Sequence, residues 1–315
     1  MSEDLASEHP MSEDLAAFVA RQLQAPCPPA AHAFAEALVR ETRARAALFY
    51  GSILRTGDLD GVLDFYLLTD DERRTGWRGW IARRLWPDVS YREMEIGGRV
   101  LRAKIATMPL STFRRAAAGD YLDTTIWTRF VQPCALAFAA DPASACEVKA
   151  AIGAASETAG RYAAALGPAS GRAVDYWQAL FRHTYAAELR VEKPGREREI
   201  TGFDPDRYAQ LLPLAWRSAG LAFRESGEVL RPQLPEAERR RLRQAWGRRQ
   251  AFGKPLNAAR LVKAATTFEG AARYAAWKIE RHTGVVVPVT PWRERHPILA
   301  APGAAWRIWR GRRQP

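Results

Sequence analysis

One stretch, LFYGSILRTGDLDGVLDFYLLTDD at residues 48–71, constrains the fold of this chain more than any other. An apolar run ends at Gly51-Ser52, a bend rich in Gly and Asp follows, and a second apolar run is interrupted by Asp64. A carboxylate inside a strand is costly unless a cation or a hydrogen-bond partner meets it. The stretch therefore predicts two strands joined by a bend, and Asp64 gives the first indication of a metal site.

The turn and the acidic strand have complementary chemistry for a triphosphate. Gly51 lets the backbone approach a phosphate closely, and Ser52 offers it both a hydroxyl and an N–H. A carboxylate on the neighbouring strand, here Asp64, can hold Mg²⁺ against the same triphosphate. The alternative for Asp64 is a strand-end carboxylate that the backbone satisfies.

Strand alternation assigns the side chains of the second run to two faces. One face, predicted to line a cleft, carries Asp64, Tyr66 and Leu68, and the other, predicted to pack under helices, carries Leu63, Phe65 and Leu67. Asp58 and Asp60 lie in the bend between Gly57 and Gly61. Either could supply a further oxygen to the metal, or both could belong to an ordinary polar turn.

Helical and strand-like periodicities alternate along the first half of the chain. Residues 12–24 and 31–46 have the apolar spacing of helices. Residues 46–107 are strand-like, and the glycines between VSYREMEI and RVLRAKIATM predict a hairpin. The segment TGWRGWIARRLW, which precedes the hairpin, is predicted to be an amphipathic helix. From about residue 110 the spacing is mostly helical.

Net charge and cysteine content indicate which kind of partner and which cellular compartment are favoured. The net charge of +12 favours an anionic partner, namely a nucleotide, a nucleic acid or an acidic membrane surface, unless it reflects an Arg-rich composition alone. The three cysteines form no CxxC pair, which fits a reducing cytoplasm. We expect no transmembrane segment and no signal peptide, because no apolar run is long enough and no basic n-region leads into one.

The order Tyr50-Gly51-Ser52, eleven residues, then Asp64-Phe65-Tyr66-Leu67 resembles the DNA polymerase β superfamily of nucleotidyltransferases. That superfamily carries hG[GS], a spacer of similar length and then Dh[DE]h. Tyr66 occupies the position of its second carboxylate. The resemblance implies an α+β fold with a polymerase β-like mixed sheet, followed by a mostly helical domain and a basic-aromatic tail.

Within this superfamily, the wider pattern is similar to the mitochondrial-type phosphatidate cytidylyltransferases, the soluble CDP-diacylglycerol synthases of translocator maintenance. These proteins have YGSG followed by an LDF-type strand with only the first carboxylate. The segments that match in order are GGRVLRAKIATM, RFVQPCAL, HTYAAELRVEKPGREREI and ARLVKAATTFEGAARYAAWKIER. Ile53 replaces a family glycine, and Glu188 takes the place of a family aspartate.

The family resemblance implies transfer of CMP from CTP to phosphatidic acid, with release of pyrophosphate. It implies Mg²⁺ at Asp64, triphosphate binding at Gly51 and Ser52, and a further catalytic carboxylate at Glu188. The candidates for phosphate contacts are Arg102, Lys104 and Arg190, because arginine and lysine side chains bind phosphate oxygens.

A lipid substrate also predicts where the protein acts. In AAWRIWRGRRQP, at residues 304–315, Trp306 and Trp309 alternate with Arg307 and Arg310. Tryptophan favours the headgroup region and arginine is attracted by anionic lipid, so we expect peripheral binding at the inner face of the cell membrane. Residues 239–250 have similar chemistry. Solvated charge or nucleic-acid contact is the alternative, and nucleic acid is the less favoured partner.

The predicted organisation is an N-terminal extension at 1–30, a nucleotidyltransferase domain at 31–145, a helical domain at 146–285 and the basic tail at 286–315. Two other functions remain open from the sequence. The same fold could act on a small molecule, a protein or RNA, or the chain could be an inactive relative that binds lipid or RNA. The sequence does not indicate base preference or oligomeric state.

Overall fold

The computed structural model describes residues 11–70, 85–187, 195–283, 286 and 288–292. The strands are β1 (Ala46–Tyr50), β2 (Leu63–Thr69), β3 (Asp88–Ile96), β4 (Arg99–Pro109), β5 (Cys134–Ala139), β6 (Gly171–Arg172), β7 (Phe223–Ser226) and β8 (Val229–Pro232). The helices are α1 (Glu13–Leu23), α2 (Pro29–Thr42), α3 (Ser52–Thr56), α4 (Leu110–Ala117), α5 (Thr125–Phe130), α6 (Pro142–Leu166), α7 (Ala173–Ala187), α8 (Arg196–Phe203), α9 (Pro205–Ser218), α10 (Glu236–Thr267) and α11 (Ala271–Thr283). The predicted Trp-rich helix falls mainly outside the described residues.

A mixed five-stranded sheet, in the order β3-β4-β2-β1-β5, organises the first half of the chain. Strands β2 and β4 are parallel, and the other neighbouring pairs are antiparallel. The hairpin turns at Gly97-Gly98, as predicted, and both glycines have the positive φ that such a tight turn requires. The α+β class and the mixed sheet are thereby confirmed. Strand β5 was not predicted, because it lies in a region assigned to helices.

The two faces of the sheet belong to two apolar cores. On one face, Leu63, Phe65 and Leu67 pack with residues of α2, as the alternation predicted. On the other face, Tyr66 and Leu68 are buried in the larger core and do not line a cleft. The Tyr66 ring packs edge-on against Phe130 at 5.1 Å between centroids. Of the three residues predicted to face the cleft, Asp64 alone does so.

The 25-residue helix α6 is the centre of the larger core. It contacts helices on both sides of the predicted boundary between 145 and 146, and α1 packs on it as well. Its C-terminal carbonyls are bonded by arginines of α10: Arg239 donates to the Ala164 carbonyl and Arg243 to the Ala165 carbonyl, both at 3.1 Å. These two cations at the negative end of a helix stabilise it.

The α10 segment predicted to touch a membrane, residues 239–250, is therefore partly internal. Arg239 and Arg243 bond to α6, and Trp246 and Arg249 are buried. A small sheet of order β6-β8-β7 packs beside α7. Within the described ranges, no helix combines the length and the apolar character needed to cross a bilayer.

Candidate functional site

A cavity of about 250 Å³ opens where β1 ends and β2 begins. Its walls are formed by Tyr50, Gly51, Ser52, Asp64, Arg129, Gln132, Pro133, Tyr185, Arg196 and Ile200. The predicted Gly51-Ser52 turn and the predicted carboxylate Asp64 thus share one cavity, although twelve positions separate Ser52 from Asp64 in the sequence.

Strand pairing brings the turn and the carboxylate together. In the antiparallel pair β1–β2, Tyr50 is the register partner of Asp64, so the residue that follows Tyr50 starts beside the carboxylate. Gly51 has a φ of +95°, which turns the chain into α3 at Ser52. A Cβ built on Gly51 would lie 2.6 Å from the Oδ2 atom of Asp64. A side chain at position 51 would require the Asp64 carboxylate to move from this place.

Arg129, from α5, places a positive charge at the cavity wall. Its guanidinium lies over the Tyr50 ring, 4.9 Å from the centroid, a cation–π geometry. Burial raises the pKa of Tyr50 well above its usual value, while the charge of Arg129 opposes that shift. Tyr50 therefore stays protonated at neutral pH and can donate a hydrogen bond. Gln132 follows α5, and its Nε2 donates to the Thr128 carbonyl at 3.1 Å.

The far wall comes from the helical half of the chain. Arg196 and Ile200 lie on α8, and Tyr185 lies on α7. Arg196 forms an ion pair with Glu199, with 2.5 Å between Nη1 and Oε2. Local sequence pattern did not predict these three residues as part of the site. All three lie in the segment HTYAAELRVEKPGREREI, in which the predicted site residues were Glu188 and Arg190.

Lys104 and Arg102 lie on β4, and neither lines the cavity. Lys104 is the register partner of Asp64 in the parallel pair β2–β4, so it is the neighbour of that carboxylate on the sheet. Arg102 approaches Glu93, with 3.2 Å between Nε and Oε1, and its guanidinium is 5.8 Å from the Trp277 ring centroid. Arg102 is thus engaged by β3 and α11, away from the predicted phosphate site.

Asp58 and Asp60 lie in the bend before β2 and are exposed. The backbone N–H of Asp60 donates to Oδ1 of Asp58 at 2.9 Å, and Asp60 forms an ion pair with Arg99. Arg281 of α11 also donates to the Asp60 carbonyl at 2.9 Å. Neither aspartate is among the residues that form the cavity, so the bend has the contacts of a polar turn tied to its neighbours.

The donor set of the cavity fits Mg²⁺ only if phosphate supplies further ligands. Asp64 is the one carboxylate among the described residues that form the walls. Over the described ranges there is no group of three or more His, Cys, Asp or Glu side chains arranged to hold a metal. Magnesium accepts one or two protein carboxylates together with substrate phosphates and water. Asp64 and a bound triphosphate would satisfy that requirement.

The remaining predicted site residues lie outside the described part of the chain. These are Glu188, Arg190, Trp306, Arg307, Trp309 and Arg310. The C-terminus of α7 and the N-terminus of α8 flank positions 188–194, and both helices contribute to the cavity wall.

Comparison with protein-family models gave no match, and comparison with curated proteins gave none either.

Proposed function

We propose that this protein is a Mg²⁺-dependent nucleotidyltransferase that transfers CMP from CTP to phosphatidic acid. The observation that carries the proposal is the shared cavity of the Gly51-Ser52 turn and Asp64, with Arg129 and Arg196 in its walls. A turn that leads into a helix and carries a serine, together with a carboxylate and two guanidiniums, is a combination suited to a metal–triphosphate complex. The fold assignment to the polymerase β-like class belongs to this proposal.

Each wall of the cavity has a distinct role in the proposed reaction. The turn at Gly51 and Ser52 binds the β- and γ-phosphates through N–H and hydroxyl groups. Arg129 and Arg196 bind phosphate oxygens from two different helices, and the protonated Tyr50 hydroxyl donates a hydrogen bond. Asp64 holds Mg²⁺, which would offset negative charge on the leaving pyrophosphate.

The proposed acceptor is the phosphate of phosphatidic acid. One of its oxygens forms a bond to the α-phosphorus of CTP as the bond from that phosphorus to the pyrophosphate oxygen breaks. The products are CDP-diacylglycerol and pyrophosphate. The acceptor assignment rests on the family resemblance of the segments quoted above, and the net charge of +12 suits an enzyme that works at an anionic membrane surface.

Incorporation of α-labelled CTP into chloroform-soluble product tests the proposal. Purified protein would be assayed with Mg²⁺ and phosphatidate in detergent. We expect Asp64→Asn to lower turnover by about 100-fold or more, the size of effect seen when one electrostatic group of an active site is removed. The matched control is Asp70→Asn, because Asp70 follows the same strand, is exposed and does not line the cavity. Equal turnover of the wild type and Asp64→Asn would refute the proposal.

Two further arms separate the competing acceptors. The labelled product could instead stay in the aqueous phase, formed with a small molecule, a protein or RNA. That result would support nucleotidyltransferase activity and contradict the lipid acceptor. Flotation with vesicles of phosphatidylcholine and phosphatidate tests peripheral binding, and failure to float would contradict the membrane assignment. Absence of any nucleotide turnover, with vesicle binding intact, would identify an inactive lipid-binding relative.

A further inference from the structure

Helix α10 contacts the segment that leads into α5, although α10 lies far from it in the sequence. Residues 119–123 connect α4 to α5, and α5 carries Arg129, with Gln132 just beyond its end. The position of α5 therefore determines where one wall of the cavity lies. Two buried or nearly buried arginines of α10, Arg249 and Arg260, bind this connecting segment.

Arg249 binds the backbone of the connecting segment. Its Nη2 donates to the Gly119 carbonyl at 2.6 Å and its Nη1 donates to the Tyr121 carbonyl. Its Nε donates to the Tyr162 hydroxyl at 3.0 Å, which also ties the guanidinium to α6. The residue is 6% exposed, so these bonds form away from water. Backbone carbonyls held by a buried guanidinium have little freedom to shift.

Arg260 binds the carboxylate that starts α5. Its Nη1 forms an ion pair with Oδ2 of Asp123; the Asp123 side chain is buried and that of Arg260 is 13% exposed. Oδ1 of Asp123 accepts from the Thr125 backbone N–H at 2.9 Å, and Oδ2 accepts from the Thr125 hydroxyl at 3.1 Å. Asp123 thus satisfies the first N–H of α5 while it is bound to α10. The guanidinium of Arg260 also lies 4.6 Å from the centroid of the Trp86 ring.

A helix as short as α5 is held by its contacts more than by its own hydrogen bonds. We call the contact of Asp123 with the Thr125 N–H, at the N-terminal end of α5, its cap. Asp123 is also the partner of Arg260, and the preceding carbonyls are the partners of Arg249. Arg129 lies at the other end of the helix, beside the cavity. A movement of the cap would therefore displace the guanidinium of Arg129.

We infer that Arg249 and Arg260 are positioning residues for Arg129: they act on the anion site through the segment 119–123 and helix α5. The inference rests on the proposed function in that it takes the cavity to bind a phosphate anion. It assigns a role in the site to two residues that are not among the described residues lining the cavity.

A double-mutant cycle tests the inference with inorganic pyrophosphate as the probe. The affinity for pyrophosphate in the presence of Mg²⁺ would be measured by calorimetry for four proteins: the wild type, Arg260→Met, Arg129→Met and the double variant. We expect Arg260→Met to weaken binding about tenfold, because small displacements of a binding group have effects of this size. In the Arg129→Met background the same change should alter affinity by less than about twofold, since both changes act on one group.

Hydrogen exchange provides a readout that does not depend on ligand binding. Arg260→Met should accelerate amide exchange over residues 124–131 while the central amides of α6 keep their rates. Arg260→Lys keeps the positive charge, so it should show more protection from exchange than Arg260→Met. Asp123→Asn is a milder second variant and should accelerate exchange over the same residues to a smaller extent. Arg248→Met, an exposed neighbour on α10, is the control and should match the wild type in both measurements.

The outcomes separate this inference from the proposed function. Additive effects of Arg260→Met and Arg129→Met on affinity, or unchanged exchange over 124–131, would overturn the positioning role. If the wild type binds no pyrophosphate, the proposed function fails, and the exchange data alone decide whether α10 holds α5.

Discussion

The Oδ2 atom of Asp64 lies 2.6 Å from the point that a Cβ on residue 51 would occupy. Residue 51 also has a φ of +95°, a conformation that disfavours any residue with a side chain. Two independent constraints thus act on one glycine, one from the backbone and one from the carboxylate on the neighbouring strand. The second of these ties the turn directly to the acidic residue of the candidate site.

Replacement of Gly51 by Ala should therefore cost more than backbone strain alone. We expect Gly51→Ala to lower the free energy of unfolding by about 2–3 kcal/mol, and Gly57→Ala by about 1 kcal/mol. Gly57 is the matched control, because its φ is +71° but no atom lies within 4 Å of its added Cβ. Urea denaturation measures both. Adding Asp64→Ala to Gly51→Ala should recover part of the loss, and equal losses for the two glycines would contradict the argument.

The two cavity arginines should not tolerate lysine. Arg129→Lys and Arg196→Lys keep the charge but lose the planar fork that binds two phosphate oxygens at once. We expect each to weaken binding of CTP with Mg²⁺ by about tenfold, since charge-assisted hydrogen bonds contribute about 1.5–3 kcal/mol. Arg198→Lys, on the exposed side of α8, is the control. Calorimetric titration with CTP and Mg²⁺ measures the affinity. Lysine variants that bind like the wild type would show that the two guanidinium groups do not contact phosphate.

Arg207 of α9 is a buried charge with few partners. Its Nη2 donates to Oε1 of Gln22 at 2.9 Å, while its Nε and Nη1 are buried without hydrogen bonds. Burial lowers the pKa of this guanidinium. A buried charge is costly where its N–H groups lack partners, so an apolar side chain of similar size removes that cost. We expect Arg207→Met to raise the free energy of unfolding by about 1–3 kcal/mol.

Urea denaturation of Arg207→Met measures this effect, with the exposed Arg224→Met as the control, which should change stability by less than about 0.5 kcal/mol. A clear loss of stability in Arg207→Met would mean that the buried guanidinium has favourable interactions beyond the contact with Gln22.

His183 should make the fold less stable in mild acid. Burial, with a smaller contribution from the charge of Arg182, lowers the pKa of His183 in the folded protein. The unfolded chain then binds more protons than the folded chain as pH falls through the ordinary histidine pKa, so stability decreases there and is retained above it. We expect the urea midpoint of the wild type to fall between pH 7.5 and pH 5 by more than that of His183→Gln. Parallel pH profiles would disprove the contribution.

Much of the sheet and one wall of the cavity could be predicted from local pattern. The apolar runs predicted β1 and β2, and the adjacent glycines predicted the β3–β4 hairpin. The spacing of the motif predicted that Gly51 and Ser52 lie close to Asp64. These features depend on neighbours in sequence or on one strand pairing. Alternation also predicted the face of Leu63, Phe65 and Leu67 under α2.

The other walls of the cavity depend on contacts that periodicity does not report. Arg196 and Tyr185 reach the site only through the packing of α7 and α8 against the core. Tyr66 shares the face of Asp64, yet α4 and α5 cover it, because Phe113 and Phe130 pack on its ring. Strand β5 reads as a continuous apolar run, which does not distinguish a buried strand from a buried helix. Arg239 and Arg243 read as a surface charge cluster, although they bond to carbonyls of α6.

The bonds from α10 to the segment before α5 span 128 residues for Arg249 to Tyr121 and 137 residues for Arg260 to Asp123. During synthesis, β1, which ends just before Gly51, and β2, which bears Asp64, emerge long before these arginines exist. At about 5–20 residues per second, the ribosome needs several seconds to make the intervening chain. A nascent protein can thus complete its sheet early, yet it gains the fixed wall of the cavity only after α10 has been translated.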